Sequence, residues 1–210
     1  MHKEMNYLDR NEFNFEPSPE VVAAIKDFDL RKLCFYTRIY DEGKKSIFSV
    51  YLSELYGIDE RQVVLGYGAE DLLKKTVHFF LTEGGSKTML IPKYSWWYYK
   101  AIADEVSGTT LQYPVNEDGN TFRYDFEGLK QMIDEIQPKI LLVASPNNPT
   151  GNDLCRMEIE KLLNAFDGLV VVDEAYIDFS DSPSFRFELK NYPNIVVLQT
   201  FSKAWGSAAI

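Results

Sequence analysis

A chain of 210 residues is long enough to bury a substantial core as one large domain. With 45% hydrophobic and 26% charged residues, its composition excludes a disordered chain, and a formal charge of -10 argues against a nucleic-acid partner, which needs a net basic face. Cys34 and Cys155 lie far apart without CxxC spacing, so neither a disulfide framework nor a zinc site is indicated, and a reducing cytoplasm is the expected location. No window approaches the roughly 18 consecutive apolar residues of a membrane span.

Along the first 60 residues, "PSPEVVAAIKDF" predicts a helix starting near Pro19, and "KKSIFSVYLSELYG" predicts a second closed by Gly57. The aromatic-rich segment "LCFYTRIYDEGK" between them reads as irregular. Residues 1–60 are therefore expected to form an arm and helices packed against a sheet domain of residues 61–210, or against a partner. Beyond residue 60, short apolar runs alternate with segments of helical period. The predicted strands are "QVVLGY" (62–67), "TMLIP" (88–92), "TTLQYPV" (109–115), "KILLVAS" (139–145), "LVVVDEAY" (169–176) and "NIVVLQTF" (194–201). The helices between them are "AEDLLKKTVHFFL", "WWYYKAIADEV", "FEGLKQMIDEI" and "RMEIEKLLNAF". The alternation predicts an α/β fold: a doubly wound, mostly parallel sheet flanked by helices.

In such a sheet ligands bind at the carboxyl ends of the strands, and chemistry-bearing residues collect there. In "GYGAED", Gly68 leads into a helix whose first N–H groups, on Ala69 and Glu70, can hold a phosphate; a plain strand-to-helix turn explains the glycine as well. "SPNNPTG" (145–151) sets two asparagines in a proline-rigid turn, more such residues than a turn alone requires. Asp173 ends an apolar strand, where a carboxylate needs a cation or donors, or caps a neighbouring element. Tyr176 can turn its hydroxyl to the same cavity or pack its ring in the core. Lys203, in "TFSKAWG", follows Thr200 and Ser202; a desolvated lysine is a nucleophile for carbonyl groups, while a surface lysine at a strand end is the plain alternative. His78 reads as a packed histidine, and Trp97 and Tyr99 of "WWYY" as packing residues.

Together, "SPNNPTG", "VVVDEAYIDF" and "TFSKAWG" resemble the fold-type I pyridoxal-phosphate aminotransferases, most of all the histidinol-phosphate aminotransferase branch. "NEFNFEPSP" aligns with that branch's "NENPYGPSP", and "IPKYSWWYY" with its "PxYxxY" stretch. The resemblance implies an enzyme with pyridoxal 5'-phosphate as cofactor, bound to Lys203 as a Schiff base. By that resemblance it would pass an amino group between an amino acid or amino-alcohol phosphate and a 2-oxo acid. By the same resemblance Asp173 would hold the ring nitrogen protonated, Asn148 and Tyr176 would hydrogen-bond the phenolic oxygen, and Tyr94 would stack on the ring. The phosphate would lie among the Ala69 and Glu70 N–H groups and the Thr200 and Ser202 hydroxyls. Tyr40 would reach the phosphate of a neighbouring subunit in a homodimer.

The sequence departs from the pattern at Phe13 and Asn14 in the arm, and at Ser207 and Ala209 behind the lysine. The family pattern also has an arginine eight positions after the lysine, immediately beyond Ile210, and a small C-terminal domain after it. Two alternatives stay open on sequence alone: a decarboxylase of the threonine-phosphate type, built on the same lysine, aspartate and asparagine, and a catalytically incompetent cofactor-binding or assembly module.

Overall fold

A computed structural model describes residues 8–36 and 42–208. Tyr40 and Ala209 lie outside this set, so the expectations placed on them do too.

Two helices open the chain. Helix α1 (Pro19–Lys26) starts as proline and cap chemistry dictate: the Ser18 hydroxyl accepts the Val21 N–H at 3.4 Å, and none of its residues is buried. Helix α2 (Ile47–Tyr56) is capped reciprocally by Ser46 and Ser49 and ends at Gly57 with φ 64°, a left-handed conformation that glycine adopts without strain. A buried polar knot fastens α2 to the following turn. The Glu60 carboxylate accepts the Ser49 hydroxyl at 2.5 Å and the Lys45 N–H at 3.0 Å, with Lys45 Nζ at 3.2 Å.

The Ser49 hydroxyl first, then the Lys45 N–H, hold Glu60 down at about 2 from the ordinary 4.5. A depressed acid contributes stability that is present above its unfolded value and lost as pH falls through the folded one. Glu60→Gln is therefore expected to lower the thermal midpoint at pH 7, and the gap to the parent should close between pH 4.5 and about 2. Parallel melting curves across that range check it.

The run 62–67 is the one predicted strand that does not form. Glu60–Gln62 is a 3-10 turn capped by Asp59, and residues 63–66 pair with no strand. Val63 is buried, but Val64 and Leu65 face outward, so an apolar run that reads as a strand is a covering segment with one inward side chain. It leads into helix α3 (Gly68–Thr82), which begins one residue earlier than predicted.

The remaining strands form within the predicted spans, β1 (Thr88–Pro92), β2 (Thr109–Tyr113), β5 (Ile140–Ala144), β6 (Leu169–Asp173) and β7 (Ile195–Leu198), but residues 174–176 and 199–201, predicted to continue β6 and β7, have already left the sheet. All pair in parallel, in the order β2-β1-β5-β6-β7. Pro114 ends β2, and the chain then makes an unpredicted antiparallel hairpin of β3 (Val115–Asp118) and β4 (Thr121–Tyr124). Helices α4 (Tyr98–Asp104), α5 (Phe126–Ile136) and α6 (Arg156–Ala165) complete the order.

Period-two alternation along the strands builds a core on each face of the sheet. Leu141, Val143, Val170 and Val172 meet α5 and α6 through Leu129, Ile133, Ile159 and Leu163. On the opposite face Met89, Ile91, Leu142 and Val171 meet α3 and α4 through Leu73, Val77 and Ile102. Both faces are covered, as in the doubly wound architecture, and every parallel strand delivers its carboxyl end to one edge.

Candidate functional site

Strand register brings the motifs to that edge. Asp173, the last residue of β6, pairs with Ala144 on one side and Leu198 on the other. The "SPNNPTG" turn and the Thr200–Lys203 segment therefore leave the sheet beside it. The Asp173 carbonyl accepts the Ser145 N–H at 2.9 Å, and the Glu174 N–H donates to the Leu198 carbonyl at 2.9 Å, fixing the three strand ends together.

The Asp173 side chain is buried. Burial pushes its carboxyl up from the usual range, against the opposing pull of two donors: the Tyr99 hydroxyl at 2.6 Å on Oδ2 and the Ala175 N–H at 3.0 Å on Oδ1. Both donors are neutral, and no ion pair reaches this carboxylate among the described residues. The Tyr99 ring is buried as the packing reading expects, but its hydroxyl also contacts a predicted site residue. Trp97 differs from that reading: it is 73% exposed at the start of α4.

A second group assembles at the head of α3. Gly68 has φ 79°, and a Cβ placed there would sit 3.8 Å from Thr200 Oγ1 and 3.9 Å from Ser202 Oγ. The two hydroxyls are themselves 2.9 Å apart. The N-cap residue Tyr67 makes no side-chain cap, unlike those of α1, α2 and α5, so the first-turn N–H groups are left without one at the positive end of the helix dipole. Gly66 serves closeness instead: a Cβ there would meet Leu72 at 2.7 Å. Gly68, Thr200 and Ser202 line a cavity of about 400 Å³ that runs along α2 and the 63–67 segment.

Asn148 and Tyr176 line a separate hollow of about 340 Å³, together with Asn11 and Asp153. The arm reaches into this hollow, where the Asn11 amide donates to the Tyr176 hydroxyl at 2.9 Å. Lys203 follows Ser202 in the chain and directs its amine to the arm and Tyr176. Its Nζ donates to the Arg10 carbonyl at 3.0 Å and the Asn11 carbonyl at 3.4 Å, and lies 5.8 Å from the centre of the Tyr176 ring. Phe13 lies against Gly206, where a Cβ would come within 2.7 Å of its ring, so the arm packs directly on the loop that carries the lysine. Ser207 turns its hydroxyl back to the Trp205 carbonyl at 3.1 Å.

Tyr94 stands apart from both hollows. Its ring contacts Phe122 at 5.9 Å with Lys93 Nζ over it at 4.7 Å, while its carbonyl accepts the Asn147 amide at 3.0 Å. That amide stitches the end of β1 to the end of β5. His78 is half-buried, its Nε2 3.1 Å from the Ile102 carbonyl and 3.2 Å from Glu105, away from the strand ends.

Sequence reasoning named most of these groups and missed Tyr99 and Asn11 as contacts of the site. A signal existed for the first, since helical spacing from Ile102 and Ala103 places Tyr99 on the buried stripe of α4. For Asn11, whose partner is 165 residues away, the signal was its place at the head of "NEFNFEPSP", which aligns with a family motif but does not name the contact.

Comparison with known proteins places the chain in a family. The family model for aminotransferase class I and II matches residues 3–210. The histidinol-phosphate aminotransferase of Bacteroides thetaiotaomicron is 42% identical over 160 residues, which is 76% of this chain and 44% of that protein. That of an Anaeromyxobacter species is 32% identical over 208 residues, 97% of this chain and 54% of that protein. In fold, the chain is similar to the crystal structure of histidinol-phosphate aminotransferase from Sinorhizobium meliloti in complex with pyridoxal-5'-phosphate. The TM-score is 0.78 at 23% identity, covering 95% of this chain and 52% of that one. The chain spans about half the length of the curated relatives it matches. With motif, fold and sequence in agreement, the chain belongs to the aminotransferase class I and II family.

Proposed function

We propose that the chain supplies the cofactor-binding site of a pyridoxal-phosphate-dependent aminotransferase of the histidinol-phosphate type. The observation that carries the reading is Asp173, a buried carboxylate with neutral partners only, at a strand end shared with Lys203's segment. A buried anion is costly without a counter-cation, and a protonated ring nitrogen is such a cation. The donor set around Gly68 suits a phosphate, because two hydroxyls meet a helix start whose N-cap side chain takes no hydrogen bond, while the Asp71 carboxylate is engaged by the Tyr67 N–H and Lys75. The residues present therefore fit the group that the family uses.

When bound, pyridoxal phosphate supplies an electrophilic aldehyde carbon and an electron-withdrawing ring. Lys203 would hold the cofactor through Nζ and would carry the proton to and from the substrate Cα. Asp173 would face the ring nitrogen as its anionic partner. Asn148 and Tyr176 would hydrogen-bond the phenolic oxygen, and Thr200, Ser202 and the Ala69 and Glu70 N–H groups would hold the phosphate. A stacking role for Tyr94 requires its ring to leave Phe122. The substrates we assign are an amino-alcohol phosphate or amino acid and a 2-oxo acid, supported by the 42% identity to a histidinol-phosphate aminotransferase.

We further propose a homodimer in a reducing compartment, in keeping with two unpaired, exposed cysteines, Cys34 and Cys155. No helix among the described residues is long and apolar enough to cross a membrane.

The direct test is to incubate the protein with pyridoxal phosphate, trap it with borohydride and map the modified peptide. The reading expects one added group at Lys203; modification spread over surface lysines would count against it. Turnover with histidinol phosphate against aromatic amino acids then addresses the substrate.

A further inference from the structure

Tyr99 has a place at the site that the proposed chemistry does not yet use. In α4 the positions Tyr99, Ile102 and Ala103 form the buried stripe, and this stripe carries the phenol to the end of β6. There it gives Asp173 Oδ2 a hydrogen bond of 2.6 Å, while Oδ1 takes the Ala175 N–H at 3.0 Å. The neighbouring buried tyrosines are committed elsewhere: Tyr113 donates to the Leu142 carbonyl at 3.1 Å and Tyr124 to the Ala144 carbonyl at 2.6 Å. Among the described residues Tyr99 alone offers a side-chain donor to this carboxylate.

Burial, and next the charge of Asp173, push the Tyr99 phenol far above its usual value, so it remains a protonated donor throughout the working pH range. A ring needed only to fill space would serve equally well as phenylalanine, and an unpartnered hydroxyl at this depth would be a cost. Its hydroxyl is kept because it has an acceptor, and that acceptor is the group assigned to the ring nitrogen.

We propose that Tyr99 is a positioning residue, whose hydroxyl holds the Asp173 carboxylate ionised and in one orientation for the cationic ring nitrogen of the cofactor. The inference rests on the functional reading above and extends it to a residue that the sequence reading assigned to packing alone. With the hydroxyl removed, Asp173 keeps a single backbone donor, the neutral acid gains on the carboxylate, and the pairing with the ring nitrogen weakens.

The test compares Tyr99→Phe with Tyr113→Phe, which removes an equally buried hydroxyl from a carbonyl that is no part of the site. Affinity for pyridoxal phosphate is measured by spectral titration, and the Asp173 carboxyl is titrated by carbon NMR in the unliganded protein. Tyr99→Phe is expected to weaken binding about tenfold, the scale of one hydrogen bond to a charged group, and to raise the Asp173 titration; Tyr113→Phe should change neither beyond about twofold. Tyr99→Met, which also lacks the donor, makes the same comparison should the phenylalanine variant not accumulate. Binding and titration equal to the parent in the Tyr99 variants would overturn the proposal and leave the functional reading intact. A parent protein without Lys203-dependent binding would overturn both.

Discussion

Replacing Lys203 with alanine is expected to abolish borohydride-trapped attachment of pyridoxal phosphate and to lower amino transfer by at least about 10⁴-fold, the upper end for a positioned proton-transfer group. The expectation follows from the position of its Nζ. The amine stands beside the Tyr176 ring and Asn11, which line the Asn148–Tyr176 hollow, and among the described residues it is held by backbone carbonyls rather than by a carboxylate. Without an acidic partner, no salt bridge has to be broken before the amine reacts. Alanine removes nucleophile and proton carrier together while leaving Thr200, Ser202 and Gly68 intact, so noncovalent phosphate affinity should persist. Intact mass after reduction, set beside inorganic phosphate competition, separates the two. Covalent attachment at parental stoichiometry in the variant would sink the assignment.

Asp173→Asn should produce the second largest loss, about 10²- to 10⁴-fold in amino transfer, the range for breaking a buried ion pair by removing one charge. This variant also carries a sign test. Because burial raises the folded value of Asp173 above the ordinary 3.8, the neutral acid favours the fold below 3.8, and that contribution is lost as pH rises through the raised value and the buried carboxylate forms. Without cofactor at neutral pH the asparagine variant should therefore melt no lower than the parent, with the Tyr99 hydroxyl free to turn from donor to acceptor. With saturating pyridoxal phosphate the order should reverse, because ligand binding stabilises the parent more. Melting both proteins with and without cofactor decides it. A variant less stable in the absence of cofactor would mean that the carboxylate has a structural role instead.

Much of this arrangement was legible in the sequence, for reasons that differ by element. Strands β5 and β6 are apolar on both parities because both faces are covered, and that pattern is local. The caps of α1 and α2 are also written in a few adjacent residues. The run 63–65 misled because its apolar character comes from one buried valine and two outward neighbours, a distinction that periodicity over so short a run does not carry. The β3–β4 hairpin had a signal in "EDGN", an Asp-Gly turn between alternating residues, and Gly119 indeed sits there at φ 61°. Of the site, the strand-end residues could be named one by one, since each is fixed by its own strand. What the sequence does not carry is which groups face one another across the edge: Tyr99 on Asp173, or the arm on Lys203 and Tyr176.

The hold of the arm on the lysine has a consequence for how the molecule is made. Lys203 and Arg10 are separated by 193 residues along the chain. At about 5–20 residues per second, a ribosome needs roughly 10 to 40 s to get from one to the other. The arm therefore leaves the exit tunnel long before the residue it will clasp exists. Strands β1, β5 and β6 are made in that interval, so the phosphate cradle and the reactive amine can only join the arm after those strands exist. A chain elongated no further than β6 has no Lys203 through which an aldehyde could be held.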